Sequence, residues 1–447
     1  MQKINIIGAG LAGCELALQL ADFGYDIDLY EMRPDVSTPA HKTNLFAELV
    51  CSNSLKSNLI STSSGLLKAE MDLLNCKLLQ IAKECSVPAG NALAVDRDNF
   101  SAQVTHKIKN HSKIRVINQE FYNFTDDLTV LATGPLSSDR LIDSLSKVIG
   151  DEYLYFFDAI APVVSKDSIN LDIAFSKTRY DKGEADYINC PFNKDEYYRF
   201  VEALLEGEKY QAKEFENDYF QNVEFKYYEN CMPIEELARR GRDTLRYGVM
   251  RPVGLENPNT GQKPYAVIQL RIENSNKTAY NLVGCQTMLK QLSQKQAFRL
   301  IPGLKNAEFV RYGSIHRNTY LNSPRICNRN LSLTNKPNII LSGQLSGVEG
   351  YTESIFSGLL TALIIHHKLK YNKDLNLLPE TTVCGQLWRH LITDNSDNKK
   401  PFIPMNANFG LLPDVYQEKK NKKEKKELLA SRAINDLKNY LLSNNLS

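Results

Sequence analysis

The feature that most constrains the fold is a glycine-rich turn at the start of the chain. Residues 3–7 form an apolar run of strand length, and the sequence GAGLAG follows at once at Gly8–Gly13. The next ten residues carry apolar side chains at helical spacing, and a second apolar run, 27–30, ends at Glu31. This order of strand, glycine turn, helix and strand predicts a βαβ unit that opens a parallel sheet.

Each glycine of the turn meets a need of a bound dinucleotide. Gly8 allows the tight turn out of the strand, Gly10 lets the backbone approach a pyrophosphate, and Gly13 lets the helix pack on the sheet. Glu31 follows Gly8 by 23 residues, where a carboxylate accepts hydrogen bonds from both ribose hydroxyls and repels a 2′-phosphate. We therefore predict a dinucleotide other than NADP, bound by Gly8, Ala9, Gly10, Leu11, Ala12, Gly13 and Glu31.

Two later segments favour FAD over NAD as this dinucleotide. The run 127–132 ends at Gly134 and resembles the second signature of flavoproteins that bind two dinucleotides. The run 338–341 leads into Gly343 and Gln344, and resembles the third signature of those proteins. The GxGxxG pattern has no second copy. We therefore predict tightly bound FAD, with further contacts from Gly134, Gly343 and Gln344, and a helix over 353–366 beside it.

The pattern of predicted helices and strands divides the chain into three parts. A helix is predicted over 66–85, alternating apolar runs such as 265–270 and 279–283 predict antiparallel strands, and α/β texture returns after about residue 320. We predict an α/β fold, namely a doubly wound, Rossmann-like FAD-binding domain of the glutathione-reductase type with an inserted α+β domain. The expected bounds are 1–155 and 320–447 for the two parts of the FAD-binding domain, and 156–319 for the insertion.

Composition excludes several other classes of protein. The chain has 54 Lys+Arg against 52 Asp+Glu, a formal charge of +2, so no strong overall field attracts a polyanion. No run approaches the ~20 apolar residues of a membrane span, and no secretory signal precedes the first strand. Nine cysteines without a CxxC pair indicate reduced thiols, not a disulfide framework or a zinc site. We expect a cytoplasmic protein without metal or membrane attachment.

Two cysteines lie in polar surroundings that favour a chemical role. Cys51 is part of a polar, turn-rich stretch, 33–64, which is long for a structureless loop and therefore indicates function. Cys231 precedes the basic stretch 239–242, whose guanidiniums favour a thiolate. Position alone gives each thiol equal weight as a reactive group and as a small packed side chain. Packing is the expectation for Cys14, Cys76, Cys85, Cys285 and Cys384.

Longer blocks of sequence extend this interpretation over nearly the whole chain. The chain resembles the TrmFO family of folate- and FAD-dependent tRNA (uracil-5-)-methyltransferases, which are related to the larger GidA-type flavoproteins that modify wobble uridines. The blocks that carry the resemblance are TPAHKTNLFAELVCSNSLKS, GLLKAEMDLL, VPAGNALAVDRDNF, CMPIEELARRGRDTLRYG, RPVGLENPNTGQKPYAVIQLR, RLIPGLKNAEFVRYGSIHRNTYLNSP, GQLSGVEGYTESIFSGLL and PFIPMNANFGLLP.

The resemblance implies a reaction that suits the two cysteines. C5 of uracil becomes nucleophilic after a thiolate adds to C6, and the family's CMPIE block implies that Cys231 is this nucleophile. In the family, the methylene group of 5,10-methylenetetrahydrofolate is carried by reduced FAD to uracil C5, and a flavin hydride completes the methyl group. The CSNS block implies that Cys51 holds the flavin-bound methylene or assists proton removal. NADH or NADPH reduces the flavin and, without a fingerprint of its own, docks transiently.

Two further residues take roles from the same resemblance. His316 is expected to stack on the pterin, and the alternative is a histidine satisfied by its strand neighbours. Glu349 is expected to belong to the substrate pocket, and the alternative is a charge at a helix N-terminus.

One segment departs from the family pattern. Where the family usually has LKWGEQKRVFR, residues 289–299 read LKQLSQKQAFR and lack the aromatic and a basic residue. This departure keeps open a uridine of 23S ribosomal RNA, in place of the tRNA T-loop, as the target of the same chemistry. The sequence also leaves open a flavin oxidoreductase that acts on a small molecule, and an FAD-holding protein without enzyme activity.

The C-terminal region combines a lysine run with an amphipathic pattern. Residues 417–427 contain six lysines, and Leu428, Leu429, Ala433, Ile434 and Leu437 follow at helical spacing. A lysine run is usually a solvated helix face. RNA contact by this run is the alternative, and the family resemblance strengthens it.

Overall fold

Helices and strands alternate at both ends of the chain, and strands dominate its middle. The computed structural model describes residues 3–38, 40–149, 153–181, 186–209, 232–273, 277–394, 402, 404–415 and 422–444, and for 153–160, 314–318 and 422 it describes the backbone. The strands are β1 (Ile4–Ile7), β2 (Ile27–Glu31), β3 (Ser54–Ser57), β4 (Ser86–Val87), β5 (Ala92–Val95), β6 (Ile114–Asn118), β7 (Leu128–Leu131), β8 (Tyr153–Ile160), β9 (Val163–Ser165), β10 (Phe175–Ser176), β11 (Tyr187–Phe192), β12 (Ala266–Ile272), β13 (Ala279–Leu282), β14 (Phe309–Arg311), β15 (Ser314–Leu321) and β16 (Ile339–Leu341).

The α-helices carry the same chain-order numbering. They are α1 (Leu11–Asp22), α2 (Ser63–Leu73), α3 (Lys77–Glu84), α4 (Arg97–Lys109), α5 (Asp139–Ile149), α6 (Lys194–Glu206), α7 (Ile234–Arg239), α8 (Thr244–Tyr247), α9 (Gln291–Phe298), α10 (Ser323–Ile326), α11 (Tyr351–Tyr371), α12 (Val383–Ile392) and α13 (Lys422–Ser443). Within the described residues, no helix is both long and apolar enough to cross a bilayer.

A five-stranded parallel sheet forms the first layer of the fold. Its order is β16-β7-β1-β2-β6, so β1 lies centrally with its chain neighbour β2 on one side and β7 on the other. Ile4 and Ile6 face a core shared with α1 and α11, whereas Ile7 packs with Leu141 and Leu145 of α5 on the opposite face. Helices on both faces of a parallel sheet confirm the predicted α/β class.

A second core lies under a six-stranded antiparallel sheet of order β10-β11-β12-β13-β9-β14. An antiparallel ribbon of β8 and β15 connects the two regions, and the expected boundaries at 155/156 and 319/320 fall within this ribbon. Val87 and Ala94, from β4 and β5, pack in the second core although both precede residue 155. The three-part division of the chain stays a prediction.

The single helix predicted over 66–85 is wrong, because the chain forms two helices there. Asn75 adopts the left-handed conformation with φ = 59°, and the amide of Cys76 donates to the Met71 carbonyl at 3.1 Å. Asparagine is one of the few residues that tolerates this conformation, and it ends helices in this way. Elsewhere the helix predicted over 353–366 is longer, running from Tyr351 to Tyr371.

The amphipathic C-terminal helix is present as predicted. In α13, Leu429, Ala433 and Leu437 are buried, and the helix packs against α2. Lys423 and Lys425 are exposed and pair with Glu427 and Asp414, while residues 417–421 of the lysine run lie outside the described residues.

The start of α1 approaches the end of β1 so closely that no side chain fits between them. A Cβ on Gly13 would lie 1.9 Å from the Gly8 carbonyl oxygen, and Gly8 itself has φ = 101°. Gly10 differs, because a Cβ there would meet nothing within 4 Å.

These glycines give a matched pair of variants. We expect Gly13→Ala to lower the free energy of unfolding of the cofactor-free protein by ~1–3 kcal/mol, because the helix must move off the sheet. Gly10→Ala is expected to keep that free energy and to weaken only dinucleotide binding. Urea unfolding of both variants tests this, and equal stabilities would contradict the close approach.

Candidate active site

A small cavity of about 70 Å³ opens at the carboxyl end of β1, where the strand order reverses. Gly8, Gly10, Glu31 and Arg33 are among its lining residues. Open α/β sheets bind their ligands at this switch point, and the amide groups at the start of α1 point toward it. The cavity therefore has the position of a nucleoside and phosphate site.

Glu31 is buried and is oriented by hydrogen bonds on both oxygens. Its Oε2 accepts from the Ala9 amide at 3.0 Å, and its Oε1 accepts from Arg33 Nε at 2.8 Å. Burial raises the pKa of Glu31, but the hydrogen bonds and charge of Arg33, together with the Ala9 amide, outweigh burial and hold the pKa below its usual value. The ionised carboxylate keeps lone pairs for ribose hydroxyls, which supports the predicted role of Glu31.

Arg33 links this cavity to the loop that carries Cys51. Its guanidinium is 3% exposed and pairs with Glu31 and, at 3.4 Å, with Glu48. Glu48 also accepts from the amides of Lys42 and Thr43 at 2.8 and 3.1 Å. Because both of these partners of Arg33 are carboxylates, its charge is compensated, and Arg33 does not favour a 2′-phosphate.

A larger cavity of about 360 Å³ continues from the first. The two share Gly10, His41, Thr133 and Leu136 as lining residues, so a molecule with a nucleoside at one end and a bulkier ring at the other fits the pair. Eight of the predicted site residues line the larger cavity: Gly10, Leu11, Ala12, Cys51, Gly134, Gly343, Gln344 and Glu349. Ala9 and Gly13 line neither cavity. The amide of Ala9 donates to Glu31, and Gly13 lets α1 pack closely against the end of β1.

Cys51 lies on the wall of the larger cavity and is partly exposed, unlike the other cysteines within the described ranges, which are buried. The buried thiols include Cys14, Cys76, Cys85, Cys285 and Cys384, so the packing prediction for these five is confirmed. Burial raises the pKa of the Cys190 thiol to about 12, which keeps such groups unreactive.

The backbone on either side of Cys51 is held by one tyrosine. The hydroxyl oxygen of Tyr351 accepts from the amides of Cys51 and Ser52 at 2.6 and 3.1 Å. Burial, and then the nearby Cys51, raise the pKa of Tyr351, so its hydroxyl stays protonated and remains a donor for a neighbour in the cavity.

Three arginines hold the same loop from the other side. Arg97 donates to the Leu49 carbonyl at 2.5 Å, Arg311 donates to the Val50 carbonyl at 3.4 Å, and Arg271 donates to Ser52 Oγ at 2.7 Å and to Asn53 Oδ1 at 3.1 Å. These contacts fix the loop to α4, β14 and β12, which come from distant parts of the chain.

Burial makes this arginine cluster costly unless it is compensated. Burial, and then the neighbouring charge of Arg97, lower the pKa of Arg311 to about 10. Glu273 lies 2.5 Å from Arg97 and 3.5 Å from Arg311 and supplies the opposing charge. The loop with Cys51 therefore rests on three largely buried arginines, whose charge Glu273 compensates in part.

The opposite wall of the cavity comes from the segment that leads into α11. Gln344 Nε2 donates to Glu349 Oε2 at 2.8 Å, and Glu349 precedes the helix, which begins at Tyr351. Its carboxylate lies in the cavity wall, as the pocket interpretation requires. Lys56, which also lines the cavity, pairs with the buried Glu353 at 3.1 Å.

Two predicted residues have side chains outside the description. Cys231 lies in the undescribed range 210–231. His316 lies in β15 and pairs in register with Asp158 of β8, and the description there is of the backbone. Their roles stay predictions.

Sequence comparison gives the family. Residues 3–373 match the family model described as Glucose inhibited division protein A. The chain is 50% identical over 433 residues to the methylenetetrahydrofolate–tRNA-(uracil-5-)-methyltransferase TrmFO of Bacillus subtilis, covering 97% of each chain. It is 49% identical over 438 residues to the TrmFO of Halalkalibacterium halodurans, covering 98% of each. The chain belongs to the TrmFO family.

A solved structure agrees with the fold of this TrmFO family member. Aquifex aeolicus GidA aligns with a TM-score of 0.68 over 98% of this chain and 73% of that chain, at 12% sequence identity. At this identity the match shows a shared fold, and it confirms the predicted flavoprotein-type architecture.

Several residues of the TrmFO cavity were not predicted from the sequence. They are His41, Lys56, Arg271, Gln286, Tyr351 and Asn406, all of which line it. Arg271 had a usable signal, since it is a charged residue inside the apolar run of β12. The others lie in loops, at a helix start or, for Lys56, in the short strand β3, where no local pattern distinguishes a cavity residue from a solvated one.

Tyr351 gives a prediction about the Cys51 loop. Tyr351→Phe removes the acceptor of two amides, which we expect to cost ~1–3 kcal/mol and to raise the alkylation rate of Cys51 severalfold. Tyr25→Phe is the matched control, because that hydroxyl bonds His366 away from the cavity. Peptide mass spectrometry after iodoacetamide treatment reads Cys51 alone. Equal rates in both variants would contradict the positioning role.

His41 gives a prediction about the stability of the protein at acidic pH. Burial, and then Arg33, lower the pKa of His41 to about 4, below the ~6.5 of an unfolded histidine. The unfolded state therefore binds the proton first, and stability is lost as pH falls from about 6.5 toward 4. We expect His41→Asn to recover on the order of 1–2 kcal/mol of that loss at pH 5. His106→Asn, at an exposed site on α4, is the control and should lose stability in acid as the unchanged protein does.

Proposed function

We propose that this protein transfers a one-carbon unit from 5,10-methylenetetrahydrofolate to C5 of a uridine in tRNA, with FAD as its bound cofactor. The observation that carries the proposal is the placement of Cys51 in the wall of the cavity that continues from the glycine turn. The relatives named TrmFO, about half identical over the full length, carry this activity in their names.

The cavity residues divide into groups that suit this chemistry. The amides at the start of α1 and Glu31 would hold the pyrophosphate and ribose of FAD, and Gly134, Gly343 and Gln344 would hold its remainder. Bound there, FAD supplies the one-carbon carrier and the hydride. Cys51, whose amide donates to Tyr351 and whose neighbour Ser52 accepts from Arg271, would hold the transferred methylene or assist removal of the C5 proton.

Cys231 completes the reaction in this proposal. A thiolate that adds to C6 of uracil makes C5 nucleophilic, and elimination of the thiolate restores the ring after C5 has lost its proton. His316 would stack on the pterin, and NADH or NADPH would dock transiently to supply electrons. The enzyme would act in the cytoplasm.

One residue within the segment that departs from the family pattern has a structural role. Gln294 in α9 donates to the Leu289 and Gly313 carbonyls at 2.6 and 2.8 Å and accepts from the Gly313 amide at 2.8 Å. This anchors the turn between β14 and β15. Gln294 itself matches the family pattern, so this contact does not decide between the two RNAs, and a direct comparison of them does.

The substrate is tested with labelled methylenetetrahydrofolate, NAD(P)H, and either unmodified tRNA or a 23S ribosomal RNA fragment. We expect 5-methyluridine in the tRNA alone, detected by nucleoside mass spectrometry. Label in the ribosomal fragment alone would transfer the proposal to that RNA. NAD(P)H oxidation with no label in either RNA would support a small-molecule oxidoreductase instead.

The cysteines are tested by substitution in the same assay. We expect Cys231→Ala and Cys51→Ala each to lower methyl transfer at least a hundredfold while the protein keeps its flavin. Cys327→Ala, at a buried site outside the cavity, serves as the control and should retain transfer. Undiminished transfer by Cys231→Ala would overturn its assignment as the nucleophile.

A further inference from the structure

A basic and aromatic surface lies beside the catalytic cavity on the second region of the protein. We call it the arginine surface and define it by Arg239, Arg240, Arg242, Tyr247 and Arg251, all exposed. Residues 236–251 carry five arginines against two carboxylates, a local charge of +3, in a chain whose total formal charge is +2. The surface therefore carries a net positive charge in a chain that is nearly neutral overall.

The guanidiniums of this surface are accessible to a new partner. Arg239 and Arg242 are 59% and 66% exposed and pair with Glu236 and Glu202 at 3.5 and 2.8 Å. Exposed pairs of this kind contribute little to stability, so a phosphate can displace the carboxylates. The sequence pattern predicts that these arginines activate Cys231, whereas their exposure favours a partner in solvent.

Tyr247 adds a stacking platform. Its side chain is 75% exposed, the largest value among the exposed large apolar and aromatic side chains of the described residues. The guanidinium of Arg246 lies 5.3 Å from its ring centre and 3.9 Å from that of Tyr265. A ring supported from within and open to solvent is the arrangement on which unpaired bases stack.

Helix α7, which ends at Arg239 of the arginine surface, is anchored at its start to the edge of the cavity. The amide of Ile234, at the start of α7, donates to the carbonyl of Gln286 at 2.7 Å, and Gln286 lines the cavity. Glu235 is fully buried and accepts from the Met288 amide at 2.7 Å and from Thr287 Oγ1 at 2.9 Å. The six residues of α7 span ~9 Å at 1.5 Å per residue, about the length of three stacked nucleotides.

We propose that the arginine surface binds the RNA strand next to the target uridine. Arg239, Arg240, Arg242 and Arg251 contact phosphates, and an unpaired base stacks on Tyr247 while the target base enters the cavity. This inference rests on the proposed function for its partner. The location follows from charge, exposure and the anchoring of α7.

The test uses the flavin-loaded, full-length protein and three variants: Arg240→Gln with Arg251→Gln, Tyr247→Ala, and Tyr247→Phe. Lys370→Gln with Lys373→Gln, and Tyr371→Ala, are matched controls, since they alter an exposed basic and aromatic group at the far end of α11. Fluorescence anisotropy with unmodified tRNA gives Kd at several salt concentrations, and methylation assays give KM and kcat.

We expect the arginine pair variant to raise Kd and KM for tRNA at least tenfold and to lower the slope of log affinity against log salt by about 0.7–0.9 per lost phosphate contact. Tyr247→Ala should weaken binding five- to hundredfold, and Tyr247→Phe should restore it, because the ring is what stacks. NAD(P)H oxidation without RNA should be unchanged in every variant, which shows that the fold and flavin are intact.

The outcomes separate this inference from the proposed function. Unchanged Kd, KM and salt slope in an enzyme that methylates tRNA would overturn the arginine surface and leave the function standing. Binding that depends on these residues without any methylation would leave the surface standing and overturn the function. An equal loss of tRNA affinity in the α11 controls, or no binding of tRNA by the unchanged protein, would also overturn the proposal that the arginine surface binds RNA.

Discussion

The rest of the structure depends on the close approach of α1 to its two neighbours. Gly13 leaves no room between the helix and the end of β1, and Gly358 of α11 lies so near that a Cβ would be 2.3 Å from the Ala12 carbonyl oxygen. These contacts bring the glycine turn of the first 13 residues against a segment more than 300 residues later. The cavity between Gly10 and Gly343 exists because both helices start at this point.

The Cys51 loop depends on a different kind of interaction, namely hydrogen bonds from a cluster of largely buried arginines. Arg97, Arg271 and Arg311 reach the loop from three elements, and Glu273 balances two of them. Removing one partner from such a cluster is costly, since it leaves another charge buried and unpaired. The loop is long and polar, as a flexible loop would be, yet hydrogen bonds to carbonyls and amides hold it in one conformation. That rigidity is what a cysteine at a reaction centre requires.

Local patterns were sufficient to predict the βαβ opening, the strands that lead to Gly134 and Gly343, and the amphipathic face of α13, because each depends on residues close in sequence. The break at Asn75 was missed, since helical periodicity continues through it and only the left-handed conformation ends the helix. Arg271, Tyr351 and Gln286 were missed as site residues because their partners are far away along the chain. The sequence placed Glu31 correctly but could not show that Arg33 connects it to Glu48.

The central claim is that the protein transfers a folate carbon to uridine, with a hydride from bound flavin. The transfer takes place in one cavity, which the glycine turn and the Cys51 loop both line. The most direct test is the isotopic composition of the methyl group formed from NAD(P)H, unmodified tRNA and methylenetetrahydrofolate deuterated at C6 of the pterin. We expect a methyl group without deuterium, and tetrahydrofolate as the folate product. Deuterium in the methyl group, or dihydrofolate as the product, would contradict it.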